Sequence, residues 1–292
     1  MHPASSQAVL EVERAASDLR RGEPVLLTGF GKEPLRVLSG EHKPCSPAIS
    51  DPKHPAVQLL KYAGLLPRAV VGPLKEDKEN LLAVSAQSIA AYPSCLASSL
   101  VRVSEASVPL LNAEDAKIIA FRPRFGHEEH LAVVIGEPQK LAAPYVRIHS
   151  SCVTGDVFAS LRCDCGNQLQ QAIRVISEAG GGVVVYLSQE GRGIGIANKL
   201  RAYALQDTGL DTVEANVALG FAPDERDFAI AARMLESLGI KRVTLLTNNP
   251  EKITAIEAQG IAVEKRMPVV TERGEHNERY LDTKAQKMGH QF

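Results

Sequence analysis

Residues 145–188 read YVRIHSSCVTGDVFASLRCDCGNQLQQAIRVISEAGGGVVVYLS, and their pattern gives the clearest indication of the fold class. Its first six residues predict a strand. Its last six, VVVYLS at 183–188, form a continuous apolar run typical of a strand covered on both faces. Between them, apolar residues recur at helical spacing from Leu169 to Ile176, and Gly180–Gly182 ends the helix. The order strand, helix, strand indicates an α/β arrangement.

The flanking sequence continues this alternation on both sides. Upstream, KIIAFRP (117–123) and HLAVVIGEP (130–138) predict the two strands of a hairpin. Downstream, a helix with apolar residues from Phe228 to Leu238 leads into the strand RVTLLT, and a further helix leads into the strand IAVEKR (261–266). Strands alternating with helices predict an α/β domain, with a mixed sheet and flanking helices.

The first hundred residues carry a weaker pattern. A helix-like stretch, VLEVERAASDLRRG, ends at Gly22 and continues into the apolar strand candidate PVLLTG. Residues 40–56 are rich in Pro and Ser without a steady period and are predicted to be loop, whereas the apolar run at 57–72 is predicted to pack. We therefore expect a smaller α+β N-terminal domain over residues 1–104, followed by the α/β domain over residues 105–292.

Composition and charge restrict the classes of partner. The chain has 292 residues, of which 45% are hydrophobic, and it can bury a substantial core. The 33 Lys and Arg nearly balance the 34 Asp and Glu, so no global field attracts the chain to nucleic acid or to a membrane. The sequence opens without a basic and then apolar segment, and no run approaches the roughly 18 apolar residues of a membrane span. These features predict a globular, cytoplasmic protein.

Three of the five cysteines, Cys152, Cys163 and Cys165, lie within 14 residues. In a reducing compartment this crowding favours metal binding or catalysis over disulfides. Three thiolates without an obvious fourth ligand are typical of catalytic zinc, which keeps one position open for water and lowers the pKa of that water to about 7. One alternative is a closed structural site completed by His149. Another is a buried trio of small hydrophobic residues, which the charged neighbours disfavour.

Two further segments place charged residues beside predicted structure. Gln189–Gly195 (QEGRGIG) directly follows the buried strand, at the end where α/β proteins bind ligands, and Lys199 and Arg201 downstream are suited to phosphate. The segment lacks the third glycine of the dinucleotide fingerprint, so a simple turn and a solvated helix face are alternatives. Asp224–Asp227 (DERD) is predicted to open an amphipathic helix, where capping and the helix dipole also favour acidic residues.

Six segments carry the most distinctive motifs of the chain. In order they are RIHSSCVTGDVFASLRCDCGNQL (147–169), SQEGRGIGIANKLRAYALQD (188–207), DTVEAN (211–216), LGFAPDERDF (219–228), LLTNNPEK (245–252) and YLDTKAQKMGH (280–290). Together they resemble GTP cyclohydrolase II of riboflavin biosynthesis, over about residues 106–292. The resemblance implies hydrolysis of GTP to 2,5-diamino-6-ribosylamino-4(3H)-pyrimidinone 5′-phosphate, formate and diphosphate. It also implies Zn²⁺, one per chain, and Mg²⁺ with the triphosphate as cofactors, and a homodimer.

The resemblance assigns roles to individual residues. It makes the three clustered cysteines the zinc ligands and Asp224 the general base, and it identifies Arg226 as the guanylyl-accepting arginine. Tyr203 matches the essential tyrosine of the family. The residues that it implies in GTP binding are Arg147, Ile148, His149, Ser150, Ser151, Gln168, Glu190, Gly191, Arg192, Thr212, Thr247 and Lys252.

These implied roles agree with the chemistry of ring opening. Zinc held by the three cysteines would supply a Lewis acid that activates water toward C8 of the guanine ring, and Tyr203 could donate or relay a proton as the ring opens. Glu190 could accept hydrogen bonds from N1 and N2 of guanine, while Mg²⁺, Arg226 and Lys252 would stabilise the phosphates. Because a guanidinium stays protonated at ordinary pH, a charge clamp is chemically easier for Arg226 than nucleophilic attack.

The N-terminal region resembles a second family. VERA at 12–15, with LRRGEPVLL, resembles the opening of 3,4-dihydroxy-2-butanone 4-phosphate synthase, which is often fused before cyclohydrolase II. In that family an acidic loop that binds Mg²⁺ follows at once, whereas Thr28–Glu33 reads TGFGKE here and offers no carboxylate cluster. We therefore expect a degenerate domain, retained for packing or assembly, without a second activity.

Two other functions are compatible with the cyclohydrolase-like pattern. An enzyme acting on another purine or pyrimidine is disfavoured by the intact EGR and TNNPEK segments. A non-catalytic zinc and nucleotide binder that regulates flavin synthesis is disfavoured because Tyr203, Asp224 and Arg226 are all present.

Two positions depart from the commonest pattern of the resembled family. Ser151 stands where a Glu usually precedes the first zinc cysteine, and Ser188 stands where an Arg often precedes the QEG segment. The joint absence of two opposite charges leads to the hypothesis that these groups form an ion pair in relatives.

Overall fold

The structure is a computed structural model that describes residues 3–43, 46–74, 81–126 and 128–269. The YLDTKAQKMGH segment lies outside these residues. The strands are β1 (Val25–Thr28), β2 (Leu35–Ser39), β3 (Ala69–Pro73), β4 (Ala83–Ser85), β5 (Leu100–Ser107), β6 (Lys117–Pro123), β7 (His130–Gly136), β8 (Tyr145–Ser150), β9 (Gly181–Leu187), β10 (Arg242–Leu246) and β11 (Ala262–Met267).

The helices lie between and around these strands. They are α1 (Pro3–Arg20), α2 (Pro55–Tyr62), α3 (Ala86–Ser98), α4 (Val153–Asp156), α5 (Cys165–Glu178), α6 (Glu190–Gly193), α7 (Gly195–Asp207), α8 (Thr212–Ala218), α9 (Ala229–Ser237) and α10 (Pro250–Glu257), with a 3₁₀ turn at Pro138–Lys140. No helix in the described part of the chain combines the length and the apolar character that crossing a bilayer requires.

The chain divides into two compact units that are not successive segments. The first unit comprises Met1–Ser99, Arg124–Gly126 and Ile194–Glu225, and the second comprises Leu100–Pro123, His127–Gly193 and Arg226–Phe292. The chain therefore first passes from one unit to the other between Ser99 and Leu100. The change of domain after residue 104 stays a prediction.

The first unit contains, over its described residues, a four-stranded sheet in the order β3-β2-β1-β4. Strand β1 pairs antiparallel with β2 and parallel with β4. Helix α1 forms because Val9, Val12 and Leu19 recur on one face, and all three are fully buried in the core of this unit. The helix followed by β1 confirms the predicted opening, and this smaller sheet confirms an α+β region ahead of the larger one.

The second unit contains a seven-stranded sheet among its described residues, in the order β11-β10-β8-β9-β7-β6-β5. Neighbouring strands from β11 to β9 run parallel, whereas β9, β7, β6 and β5 pair antiparallel in turn. The pairing of β6 with β7 is the predicted hairpin. Helix α5 covers the sheet, since Ala172, Ile173 and Ile176 pack in one cluster with Val184 of β9. The sheet is mixed with flanking helices, as predicted.

The acidic segment Asp224–Asp227 does not open helix α9. The helix begins at Ala229, after an N-cap residue, Phe228, that makes no side-chain capping bond. Within the segment, Glu225 Oε1 accepts the N–H of Ala222 at 2.6 Å. Such bonds from a side chain to nearby backbone compete with helical hydrogen bonds. The predicted helix start at Asp224 is therefore wrong by several residues. Asp227 Oδ1 does accept the N–H of Ala229 at 2.8 Å, so the last acidic residue of the segment caps the start of α9.

Candidate active site and metal centre

The parallel strands of the second unit end together at one edge of the sheet. Ser150 at the end of β8 is the register partner of Leu187 at the end of β9. Ser151, the next residue, donates its N–H to the Leu187 carbonyl at 2.8 Å. The cysteine segment and the glycine-rich turn therefore start side by side. This edge is where open α/β sheets bind ligands.

The structure brings the three clustered cysteines together, as predicted. The sulfur atoms of Cys152, Cys163 and Cys165 all lie within 4.8 Å of one another, and those of Cys152 and Cys163 are 3.7 Å apart. Cys152 is buried and the other two are half-buried. In the thiol form, the hydrogen bond with Cys152 is the largest cause of a raised pKa of Cys163. Three convergent soft donors fit a zinc ion.

Within the described residues, no histidine or carboxylate joins these sulfurs in a potential metal-binding group. His149 Nε2 instead lies 3.1 Å from Asp156 Oδ1, and the two rings of His149 and Tyr186 stack 5.6 Å apart. The closed site completed by His149 is therefore not formed. Three protein ligands with one remaining position are the pattern of catalytic rather than structural zinc.

Two glycines allow the cysteine segments to approach each other. A Cβ added at Gly155 would lie 2.7 Å from Cys163 Sγ and 3.1 Å from Cys152 Sγ. A Cβ added at Gly166 would lie 2.4 Å from the carbonyl oxygen of Gly155. Real Cβ atoms do not approach other atoms this closely. The packing of the cluster therefore requires glycine at both positions.

Arg147 and Gln168, both expected to contact GTP, form a hydrogen bond with each other close to the cysteine segment. Arg147 Nη2 donates to Gln168 Oε1 at 2.6 Å and Nη1 donates to the Leu246 carbonyl at 3.0 Å. Gln168 Nε2 in turn donates to Asp164, which lies between two of the cysteines. Burial lowers the pKa of Arg147 to about 10, so the side chain remains cationic at neutral pH. These contacts connect Arg147 to the cysteine segment.

The residues expected at the end of β10 are also buried. Lys252 Nζ donates to the Ile148 carbonyl at 2.8 Å, while the Ile148 side chain is 1% exposed and belongs to the core. Thr247 Oγ1 accepts the N–H of Asn249 at 3.0 Å. The backbone carbonyl of Ile148 therefore contacts the Lys252 ammonium, whereas its buried side chain is not accessible to a ligand.

The glycine-rich turn is built from left-handed backbone. Gly191 and the non-glycine Arg192 both have φ of 63°, a strained value for a residue with a side chain. Glu190 Oε1 accepts the N–H of Gly191 at 3.0 Å, and its Oε2 accepts the N–H of Val153 at 2.6 Å. Glu190 therefore links this turn to the cysteine segment.

Three of the residues implied by resemblance belong to the first unit. Tyr203 lies on α7, with its ring centroid 5.7 Å from Lys199 Nζ. Thr212 begins α8, and Asp224 lies in the segment after that helix. Lys199 is buried, whereas Arg201 is exposed and pairs with Glu41 at 3.1 Å. Of these two residues, only Arg201 therefore lies on a solvated helix face, the alternative to phosphate binding considered for both.

Arg226, the remaining catalytic candidate, belongs to the second unit. Its guanidinium carbon lies 5.3 Å from the ring centroid of Phe228, and Lys252 Nζ lies 5.5 Å from the same centroid. Phe228 is therefore close to two of the cations proposed for phosphate binding.

A model of the family "GTP cyclohydrolase II" matches residues 101–268, more than half of the chain. The chain belongs to the GTP cyclohydrolase II family. The match includes every strand of the larger sheet except the start of β5, together with the three clustered cysteines.

Individual relatives extend this family assignment. GTP cyclohydrolase-2 of Azospirillum brasilense is 49% identical over 81% of this chain, which spans 64% of that relative, less than two thirds of its length. GTP cyclohydrolase-2 of Xylella fastidiosa (strain 9a5c) is 36% identical over 99% of this chain and 89% of its own length. A two-domain 3,4-dihydroxy-2-butanone 4-phosphate synthase from A. baumannii aligns over 88% of this chain and 99% of its own, with 15% identity and a TM-score of 0.38. A score this low does not establish a shared fold.

In this member of the cyclohydrolase II family, Ser188 bonds to a buried histidine. The N–H of Ser188 donates to His130 Nδ1 at 3.1 Å, and the hydroxyl of Ser188 donates to the Glu129 carbonyl. His130 is fully buried, and its Nε2 has no hydrogen-bond partner in the structure. Burial lowers the pKa of His130 to about 4, so the imidazole is neutral in the folded protein at pH 7.

This buried imidazole predicts a specific loss of stability in acid. The pKa of His130 rises from about 4 in the folded chain to about 6.5 on unfolding, so protons favour the unfolded state below pH 6.5 and the loss levels off below pH 4. Between pH 7 and pH 5, protonation of His130 in the unfolded chain should lower the free energy of unfolding by about 2 kcal/mol, because a shift of one pKa unit corresponds to about 1.4 kcal/mol. We expect His130→Asn, which keeps an acceptor for Ser188, to be less stable at pH 7 but less sensitive to acid. Urea unfolding at both pH values measures this. An equal loss in variant and parent would contradict it.

Proposed function

We propose that the chain is a zinc-dependent GTP cyclohydrolase II that hydrolyses GTP to 2,5-diamino-6-ribosylamino-4(3H)-pyrimidinone 5′-phosphate, formate and diphosphate, the first step of riboflavin biosynthesis. One observation carries this proposal: a member of this family places three cysteine sulfurs within 4.8 Å of one another at the ligand-binding edge of its sheet. The relatives named above as GTP cyclohydrolase-2 support the same activity.

Cys152, Cys163 and Cys165 are the residues that would hold zinc. Bound zinc supplies a Lewis acid that makes a water molecule acidic near neutral pH. Mg²⁺ is proposed to arrive with the triphosphate, because no carboxylate-rich metal group occurs among the described residues. The two ions would therefore bind different donors: zinc binds the soft thiolates, and Mg²⁺ binds the phosphate oxygens of GTP.

Glu190 is proposed to recognise the guanine base. Its carboxylate already accepts two backbone N–H groups, from Val153 and Gly191, and these fix its orientation beside the cysteine segment. An ionised carboxylate is an acceptor only, with about four lone-pair sites, and it therefore matches the N1 and N2 groups of guanine, which are both donors. This preorganised acceptor would favour guanine over adenine, which presents no donor at N1.

Phosphate binding is proposed for the cations near the sheet edge. Arg192 Nη1 is buried and has no hydrogen-bond partner in the structure, so it can donate to a phosphate oxygen. Arg226 and Lys252 add positive charge close to the Phe228 ring, at 5.3 and 5.5 Å from its centroid. In this account Arg226 is a charge clamp, Asp224 is the general base, and Tyr203 donates or relays a proton during ring opening.

The proposal includes a reduced, cytoplasmic setting and a homodimer. None of the described cysteines forms a disulfide, as a thiolate metal site requires. GTP and Mg²⁺ would then be the small-molecule partners, and the proposal assigns no role to nucleic acid or to a membrane.

The activity can be tested with GTP labelled with ¹³C at C8. The purified protein is incubated with this GTP, Zn²⁺ and Mg²⁺, and formate and the diaminopyrimidine are quantified. We expect all released label in formate, in a one-to-one ratio with the pyrimidine product. GTP that stays intact, or label retained in the nucleotide product, would refute the proposed reaction.

For the N-terminal region we predict no butanone-phosphate synthase activity. The TGFGKE segment at 28–33 carries one carboxylate and cannot supply the acidic Mg²⁺ loop of that family. Incubation of the full chain with ribulose 5-phosphate and Mg²⁺ should yield no formate and no four-carbon phosphate. Conversion of ribulose 5-phosphate at a rate above that of buffer would show that the domain is active.

We predict that substitutions at Ser151 and Ser188 have coupled effects on activity and stability. The two residues follow the register partners Ser150 and Leu187, so they lie on neighbouring strand ends. Ser151→Glu alone and Ser188→Arg alone each introduce an uncompensated charge at a partly buried position, and each should lower activity or stability. The double variant should recover much of both. A double-mutant cycle measures the coupling, and additivity within about 0.5 kcal/mol would exclude an ion pair.

A further inference from the structure

Asp156 lies at the centre of a buried network beside Cys152. Its side chain is 4% exposed, and its carboxylate is within hydrogen-bond distance of three groups. His149 Nε2 lies 3.1 Å from Oδ1, and Tyr186 donates its hydroxyl to Oδ2 at 3.0 Å. The N–H of Cys152 also donates to Oδ2, at 2.9 Å. A carboxylate this buried requires such bonds.

The bonds between Asp156 and Cys152 run in both directions. The Cys152 N–H donates to the Asp156 side chain, and the Asp156 N–H donates to the Cys152 carbonyl at 2.6 Å. Both backbone groups of the cysteine are thus tied to the same residue. The backbone of Cys152, and hence the direction of its thiol, depends on Asp156.

The other two partners of Asp156 belong to the sheet. His149 lies on β8 and Tyr186 lies on β9, two paired central strands of the larger sheet. The cysteine segment itself buries little apolar surface, since Val157, Phe158 and Leu161 are each more than 60% exposed. Hydrophobic packing therefore contributes little to holding this segment, and its position depends on polar bonds to the sheet.

We infer that Asp156 is a positioning residue of the metal centre, which anchors Cys152 to strands β8 and β9 so that the three thiolates face one cation. The inference rests on the proposed zinc site. Asp156 touches neither the cation nor GTP in this account, and it acts through Cys152. Ligands of bound metals are commonly oriented by such outer hydrogen bonds.

The test compares zinc affinity in Asp156→Asn and in the parent protein. Asparagine keeps the size of the side chain, but it replaces one acceptor oxygen with a donor facing the Tyr186 hydroxyl, the His149 ring or the Cys152 N–H. Competition with a chromophoric zinc chelator should show affinity about 10- to 100-fold weaker. The visible spectrum of the Co²⁺-substituted protein should also change, because it reports the geometry of the thiolate ligands. Asp211→Asn is the matched control, since Asp211 likewise accepts backbone N–H groups at a helix start, in the first unit.

Tyr186→Phe is the second variant, in case Asp156→Asn does not fold. It removes one hydroxyl from the network and leaves the bond to Cys152, so zinc affinity should fall less, by about 2- to 10-fold. Zinc affinity within twofold of the parent in a folded Asp156→Asn protein, or an unchanged Tyr186→Phe if only that variant folds, would overturn the inference. Failure of the parent itself to bind zinc would instead refute the proposed function.

Discussion

Replacing Cys163 with serine is expected to remove both zinc and GTP turnover. Serine keeps the size of the side chain but supplies a hydroxyl, which binds zinc far more weakly than a thiolate. Because outer hydrogen-bond partners alone typically contribute 10- to 100-fold to metal affinity or activity, loss of a ligand should cost at least about 100-fold in kcat/KM. Zinc content is measured on the purified variant by elemental analysis, and turnover by formate release.

Cys95→Ser is the matched control for this prediction. Cys95 is a half-buried free cysteine on α3 of the first unit, outside the metal cluster. The control should keep about one zinc per chain and near-parental turnover. Full activity in a zinc-free Cys163→Ser protein would exclude zinc from the mechanism, whereas equal losses in both variants would point to a general effect of removing a cysteine.

Gly155→Ala is expected to disrupt the metal centre through a single methyl group. The added Cβ would lie 2.7 Å from Cys163 Sγ, 3.1 Å from Cys152 Sγ and 3.0 Å from Cys165 Cβ, so the ligands must move apart. Overpacking of this kind typically costs about 1–3 kcal/mol, and zinc affinity should fall by about 10- to 100-fold. Competition with a chelator measures the affinity, and circular dichroism checks that the fold is retained.

Gly72→Ala separates this steric effect from the general effect of replacing a glycine. Gly72 lies on β3, where an added Cβ meets no atom within 4 Å. Like Gly155, it has no left-handed backbone that would strain an alanine. The Gly72 variant should bind zinc like the parent protein. Unchanged zinc affinity in the Gly155 variant would show that the cysteine segment adapts to the methyl group.

The strands of the larger sheet could be predicted because their apolar patterns agree with their burial. The predicted strands at 117–123 and 145–150 match β6 and β8 residue for residue. Of the predicted strand at 183–188, residues 183–187 lie in β9, and all of them except Tyr186 are buried, as the continuous apolar character indicated. The short strands β2 to β4 were not predicted, because three to five residues offer too few alternations to distinguish a strand from a loop.

The metal ligands could be predicted from the sequence, but their surroundings could not. Three cysteines within 14 residues already indicate a shared cation. Asp156 and Tyr186 are 30 residues apart in the chain. Their hydrogen bond forms because Asp156 ends α4, just after β8, and β8 pairs with the strand β9 that carries Tyr186. The surroundings of individual binding residues could not be predicted either. The Ile148 side chain is buried in the core, and Arg147 donates a hydrogen bond to Gln168.

Stepwise return of zinc to the metal-free protein tests whether zinc at the three thiolates is required for GTP hydrolysis. The protein is stripped with a chelator, zinc is added in substoichiometric steps with Mg²⁺ in excess, and formate release from GTP is measured at each step. We expect no release without zinc, followed by a linear rise that ends at about one zinc per chain, in step with occupancy of the three thiolates. Formate release that is undiminished in the zinc-free protein, or the absence of formate at full zinc occupancy, would contradict a zinc-dependent GTP hydrolysis.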